Sequence, residues 1–259
     1  MIQLCYSRLD NSLRLCDSDL TRFAGAAERS CDRRSISLLY DNGRQLCFRT
    51  ATARCYGIFD AFQGIGSMRV YGDSISGNCL KVKWTADLLG IRHEWIETSV
   101  LDGATRTPDF LAMNPAGQVP LVRYDDGRTL AQSNAIILSL AEGSALIPAD
   151  AHQRAKMLEW LFWEQYSHEP YVAVARFQVH YLGKAVADLE PRVVERGKGA
   201  LKLLDEQLTG RTFLVGDALS LADIALVAYT RVADEGGFEL GDYPAVRRWI
   251  GRVEEALGI

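Results

Sequence analysis

Strand-like patterning in this chain is confined to one stretch. Between residues 68 and 131, short runs rich in Val, Ile, Tyr and Trp alternate with helical segments, and beyond Pro148 every periodic segment reads as helix. Such a chain needs two kinds of core, a sheet covered by helices and then helices packed on helices. The fold class this predicts is α/β plus all-α.

The segments follow in order. Residues 69–71 form a strand after Met68. Residues 80–89 form a helix with Leu80, Trp84, Leu88 and Leu89 toward the core, stopped by Gly90. Residues 93–96 form a second strand. Thr107-Pro108 opens a short helix that ends before Asn114-Pro115, because a residue preceding proline avoids the helical region. Residues 119–124 and 129–130 form a hairpin around Asp125-Asp126-Gly127. Ser133 or Asn134 is placed to cap a helix over 135–142. The order β-α-β-α-β-β-α resembles the thioredoxin-like order with a C-terminal hairpin. After a linker at 146–150 come helices over 151–183 (bent at Glu169-Pro170), 192–208, 224–232 and 243–256. Val193, Leu201, Leu204 and Leu208 face inward on the second of these, and Ser220-Leu221-Ala222-Asp223 has capping-box spacing before the third.

Composition narrows the partners. A net charge of −4 and a pI near 5.6 give no reason to expect nucleic acid or an anionic membrane, and no apolar run reaches a membrane span. Five of the six cysteines lie at or before Cys55, no Cys-x-x-Cys occurs, and no cluster has metal-ligand spacing, so no metal is expected and the compartment reads as reducing. Residues 1–67 contain no Pro, Trp or Lys and no sustained period. They are expected to be an unassigned leader, non-native or disordered; their many acids argue against a targeting peptide.

Three short pieces carry the chemistry. Ser76-Gly77-Asn78-Cys79 follows the first strand and opens the first helix, where unpaired N–H groups and a partial positive charge stabilise an anion, including a thiolate. Ser76 and Asn78 are the candidate catalytic residues, although capping alone also accounts for them, and Cys79 is a rival with a plain core role open to it. Gln118-Val119-Pro120 stands before a strand, where a cis-proline would turn the Val119 backbone toward an extended peptide ligand. Gln132-Ser133 is a second helix start, suited to a carboxylate. A thiol-bearing peptide needs a thiolate site, a backbone clamp and a carboxylate site, and these pieces supply them in that order.

Residues 68–259 resemble a bacterial cytosolic glutathione S-transferase. The residues that carry the likeness are Asn114-Pro115-Ala116-Gly117-Gln118-Val119-Pro120-Leu121, Gln132-Ser133-Asn134-Ala135-Ile136 and Ser220-Leu221-Ala222-Asp223-Ile224-Ala225, together with the tract from Trp163 to Tyr171. The resemblance implies a thioredoxin-like glutathione-binding domain over 68–147 and an all-helical domain over 151–259. It implies glutathione as co-substrate, a small electrophile as second substrate, a homodimer and a cytoplasmic detoxification role. It assigns the sulfur contact to Ser76 in theta-like and nu-like fashion, with Asn78 in the same loop. Val119 before Pro120 is assigned to the cysteinyl backbone, Gln132 and Ser133 to the γ-glutamyl end, and Gln118 to the glycyl end. Tyr71 lies in the strand and is not given the tyrosine role of other members. Tyr166, His168, Tyr171, Arg176 and Phe177 are candidates for the second-substrate pocket. A glutathione-dependent disulfide or peroxide reductase and a non-enzymatic scaffold are the alternatives.

Overall fold

The computed structural model describes residues 68–259 in full and, within 1–67, the backbone of four short strands. Those four form two antiparallel pairs, β1 (Leu4–Ser7) with β2 (Ser12–Leu15) and β3 (Ser37–Asp41) with β4 (Gln45–Arg49). The sequence joining the second pair contains Asn42-Gly43, a tight-hairpin dipeptide whose signal is local and leaves no mark on periodicity. The expectation of a leader over 1–67 otherwise falls outside the described residues.

From Met68 the chain builds a four-stranded sheet in the order β6-β5-β7-β8. Here β5 is Met68–Gly72, β6 His93–Glu97, β7 Leu121–Tyr124 and β8 Thr129–Ala131. β5 and β6 run parallel with Met68 opposite His93, joined through helix α1 (Gly77–Leu88). β7 returns antiparallel to β5 with Met68 opposite Tyr124, and β8 pairs antiparallel with β7. Short helix α2 (Pro108–Met113) is capped by the Thr107 hydroxyl, which accepts from the Phe110 N–H at 3.3 Å. Helix α3 (Ser133–Leu140) lays Ile136, Ile137 and Leu140 into one core with Met68, Val70, Val82, Ala86 and Val122.

Two local expectations are corrected. Leu88 is 41% exposed, and the buried face of α1 is Cys79, Val82, Trp84 and Ala86 with Lys81 among them at 0%. Neither Ser133 nor Asn134 caps α3: Ser133 is its first residue, and Gln132 precedes it with φ +72°, the one positive φ of a non-glycine among the described residues.

The rest is helical. α4 (Ala151–Trp163) passes through a wide π turn at Glu164–His168 into α5 (Glu169–Arg176), followed by a second π turn at Phe177–Tyr181. Pro170 lacks the N–H that an α-helix would direct to residue 166, and the Glu169 N–H reaches back five residues to the Glu164 carbonyl instead. α6 (Pro191–Leu208) buries Val193, Leu201, Leu204 and Leu208 as its periodicity predicts. α7 (Leu221–Thr230) is buried along its whole length, and α8 (Pro244–Leu257) covers it with Trp249 and Val253. An open thioredoxin-like β/α half followed by an all-helical half is the architecture the patterning predicts.

Among the described residues no helix is long and apolar enough to cross a membrane, and no cluster of three or more His, Cys, Asp or Glu is placed to hold a metal.

Candidate functional site

Where the start of α1 meets the helical half, the surface opens into a cleft of about 540 Å³. Its walls gather Ser76, Asn78, Gln118, Val119, Pro120, Gln132 and Ser133 from the β/α half, and Gln165, Glu169, Arg176, Phe177, Tyr181 and Tyr229 from the helices. All three sequence pieces therefore face one space, although about fifty residues separate the first from the last. The Val119–Pro120 peptide is cis.

Ser76 occupies the N-cap position of α1, yet its side chain makes no cap bond. The Ser76 side chain instead lines the cleft, as Tyr229 does. The Ser76 side chain is thus not spent on the helix's own cap. Cys79 is fully buried, and burial pushes its thiol up to about 11 against the hydrogen bonds from Asp73 and Ser76 that pull the other way. It stays a neutral thiol near pH 7, so its part is in the core.

Asn78 is the most heavily bonded residue of the cleft wall. Its Oδ1 accepts from Lys81 Nζ at 2.8 Å and from the Ser133 hydroxyl at 3.0 Å, and its Nδ2 donates to Glu169 Oε1 at 2.8 Å. Its backbone N–H donates to the Tyr229 hydroxyl at 3.3 Å. The expectation is that Asn78 donates to sulfur; its N–H and one of its two amide protons are committed to Tyr229 and Glu169, and its atoms tie the cleft wall together. Beneath it lies a buried ion pair, Lys81 Nζ to Glu164 Oε1 at 2.8 Å, with Asn134 Nδ2 3.1 Å from the other Glu164 oxygen. Burial pushes the Glu164 carboxyl up, but the Lys81 charge and hydrogen bond override it and hold the group below the usual carboxylate range. Glu169 differs: burial, with Glu164 nearby, raises it despite Lys81 at 3.9 Å and the bond from Asn78.

The second-substrate candidates divide. Arg176 and Phe177 line the cleft, and Arg176 is fixed by Glu235 at 2.5 Å and by the Ile75 carbonyl at 2.8 Å. Tyr166 and Tyr171 do not line it, and Tyr166 is 84% exposed on the outer face. His168 is fully buried behind the cleft with Nε2 3.0 Å from the Thr230 hydroxyl, and burial lowers its pKa to about 4. Tyr166 and His168 are therefore removed from the site. The sequence choice followed chemical type, whereas the face that reaches the cleft is Gln165, Glu169, Ala173 and Arg176, a helical series of spacings four, four and three. Tyr229 was also missed; it lies on a helix that is buried along its whole length and mostly apolar, where a tyrosine reads as core.

Comparison with known proteins adds lineage to this geometry. Residues 75–142 match the glutathione S-transferase N-terminal domain and residues 163–256 the glutathione S-transferase C-terminal domain. A crystal structure of a glutathione S-transferase from Pseudomonas fluorescens is 47% identical with a TM-score of 0.70, the match covering 72% of this chain and 94% of that one. One from Xanthobacter autotrophicus is 46% identical with a TM-score of 0.68, covering 72% and 92%. Glutathione S-transferase 3 of Zea mays is 32% identical over 165 residues, 60% of this chain and 73% of its own length.

Proposed function

The chain belongs to the glutathione S-transferase family and is a transferase enzyme, and from that premise we propose how its cleft works on glutathione. Ser76 takes the sulfur. Its hydroxyl, at an uncapped helix start, donates to the thiolate and lowers the thiol pKa by favouring the charged form. The Val119 main chain pairs with the cysteinyl unit beside Pro120. Gln118 meets the glycyl end. The first-turn N–H groups of α3 at Ser133, with Gln132, hold the γ-glutamyl carboxylate. Asn78 keeps these ends in register rather than touching sulfur. The domain boundaries that go with this are 68–147 and 151–259, with 1–67 outside the catalytic fold.

The reaction is nucleophilic. The thiol proton leaves to solvent, the sulfur lone pair forms a bond to an electrophilic carbon, and the displaced group departs with its electron pair. The electrophile enters past Ala173, Phe177 and Tyr181, the apolar and aromatic side of a cleft whose walls are otherwise largely polar. Ser76 followed two residues on by Asn78 supports a theta-like or nu-like placing. Phe162 and Tyr166, 74% and 84% exposed on successive helical turns, support a second copy covering that face, and a homodimer is part of the proposal. So is a cytoplasmic site of action, where glutathione is kept reduced.

The observation that carries the proposal is that all seven expected glutathione residues line one cleft. Calorimetric titration of the full chain with glutathione, beside assays of conjugation and of disulfide reduction, tests it. Saturable binding with conjugation is expected. A folded protein that binds no glutathione overturns it, and reduction without conjugation transfers the assignment to the reductase. Elution at monomer mass in size-exclusion chromatography removes the dimer.

A further inference from the structure

Behind the cleft wall, two carboxylates share one ammonium. Lys81 Nζ lies 2.8 Å from Glu164 Oε1 and 3.9 Å from Glu169 Oε2. His168, beside Glu164, brings no charge near pH 7, because burial holds its pKa at about 4. The group is left with one negative charge in excess, which is costly away from water. Glu164 is fully buried and takes the closer bond to Lys81. The excess therefore falls on Glu169, whose side chain is 23% exposed and lines the cleft. Among the described residues lining the cleft, Glu169 is the only carboxylate. Its Oε1 accepts from Asn78 Nδ2 at 2.8 Å, and its Oε2 accepts from Gln165 Nε2. An ionised carboxylate has about four lone-pair sites, so half of its accepting capacity is left for a ligand.

We propose that Glu169 binds the α-ammonium of the γ-glutamyl end, so that the cleft selects thiol peptides with a free amino group there. The inference rests on the assignment of the γ-glutamyl end to Gln132 and Ser133, and adds the charge partner which that assignment lacks. In glutathione the α-carboxylate and the α-ammonium share one carbon. The cleft wall pairs their two sites in the same way. A single side-chain amide, that of Asn78, accepts from the Ser133 hydroxyl at 3.0 Å and donates to Glu169 at 2.8 Å. A carboxylate on the first turn of α3 thus has its ammonium within reach of Glu169. Gln132 offers an amide but no charge, and Arg176, a cation on the same wall, is already paired with Glu235. The arriving ammonium donates to the open lone pairs of Glu169 and gives the second carboxylate its own counter-charge. Burial, with Glu164 nearby, raises the Glu169 carboxyl in the protein alone, and a bound cation favours its charged form again.

The test is calorimetric titration of the full chain with two ligands, glutathione and its des-amino analogue glutaryl-cysteinyl-glycine, on wild type and on Glu169→Gln. Wild type is expected to bind glutathione about 30-fold more tightly than the analogue, the worth of one charged hydrogen-bonding partner. In Glu169→Gln the preference is expected to collapse to within about threefold, with the loss falling on glutathione and not on the analogue. If both ligands weaken equally, Glu169 acts only by holding Asn78 in place, and the inference is overturned. A preference that survives Glu169→Gln in full assigns the ammonium to another group and overturns it as well. The wild-type comparison needs no variant: if wild type binds glutathione and the analogue alike, the inference fails while the glutathione site stands. A folded wild type that binds neither ligand overturns the site assignment and the inference together.

Discussion

Two of the described helices carry a serine at the N-cap position, Ser76 and Ser220, and they use it in opposite ways. At Ser220 the start is closed. Asp223 Oδ2 accepts from the Ser220 N–H at 3.0 Å and its hydroxyl at 2.9 Å, while Oδ1 accepts from the Leu214 N–H and the Trp249 indole, each at 2.9 Å. Everything there is buried and satisfied, so the serine holds the fold. At Ser76 the start is open: no side-chain cap bond forms, and the cap residue faces a cleft. The same sequence signature therefore serves stability where a carboxylate three residues on closes it, and leaves the serine side chain at a cleft where none does. α7 joins the two cases, for it begins at the closed cap and ends by bringing Tyr229 to the open one.

Four substitutions test this contrast, from the largest effect to the smallest. Asp223→Ala strands four buried donors, and a loss of about 4 kcal/mol is expected in urea unfolding. A loss below about 1 kcal/mol would mean that the closed start is dispensable. The far end of the same helix gives a pH test. His168, bonded to Thr230, has its pKa lowered from 6.5 to about 4, mainly by burial and further by Lys81, against Glu164. The unfolded chain binds this proton more tightly, so stability is full above about pH 6.5 and falls as pH drops toward 4, by about 3 kcal/mol. His168→Gln should flatten that slope; an unchanged slope would assign the acid lability elsewhere. Ser76→Ala inverts the pattern of Asp223→Ala, with about a 100-fold fall in kcat/KM and a urea midpoint within error of wild type. If it costs stability and spares activity, the two serines are alike and the contrast is lost. Ser220→Ala is expected to cost about 1 kcal/mol and leave glutathione affinity unchanged.

The fold was legible in the sequence wherever its cause is local. Strand alternation, the Thr107-Pro108 start, the Asp126-Gly127 turn and the Ser220–Asp223 pair act within a few residues, and each appears where the patterning places it. The cleft was legible in its β/α wall, because both helix starts and the proline carry their chemistry in short motifs. What escaped acts across the chain. Lys81 reads as a surface lysine until Glu164, eighty-three residues on, supplies its counter-charge. Tyr166 and His168 were chosen for their functional groups, and the helix turns one outward and the other into the core.

The bonds made by Asn78 have a consequence for selectivity. One side chain joins Ser133, at the proposed carboxylate end of the cleft, to the helix start at Ser76, the proposed sulfur end, and the buried Lys81 anchors it from below. The distance between the two ends is thus set when the protein folds, before any ligand arrives. On the proposed binding mode the cleft is a gauge of fixed span: a thiol peptide one residue longer is expected to engage one end or the other but not both, and to be turned away on length before its chemistry is consulted.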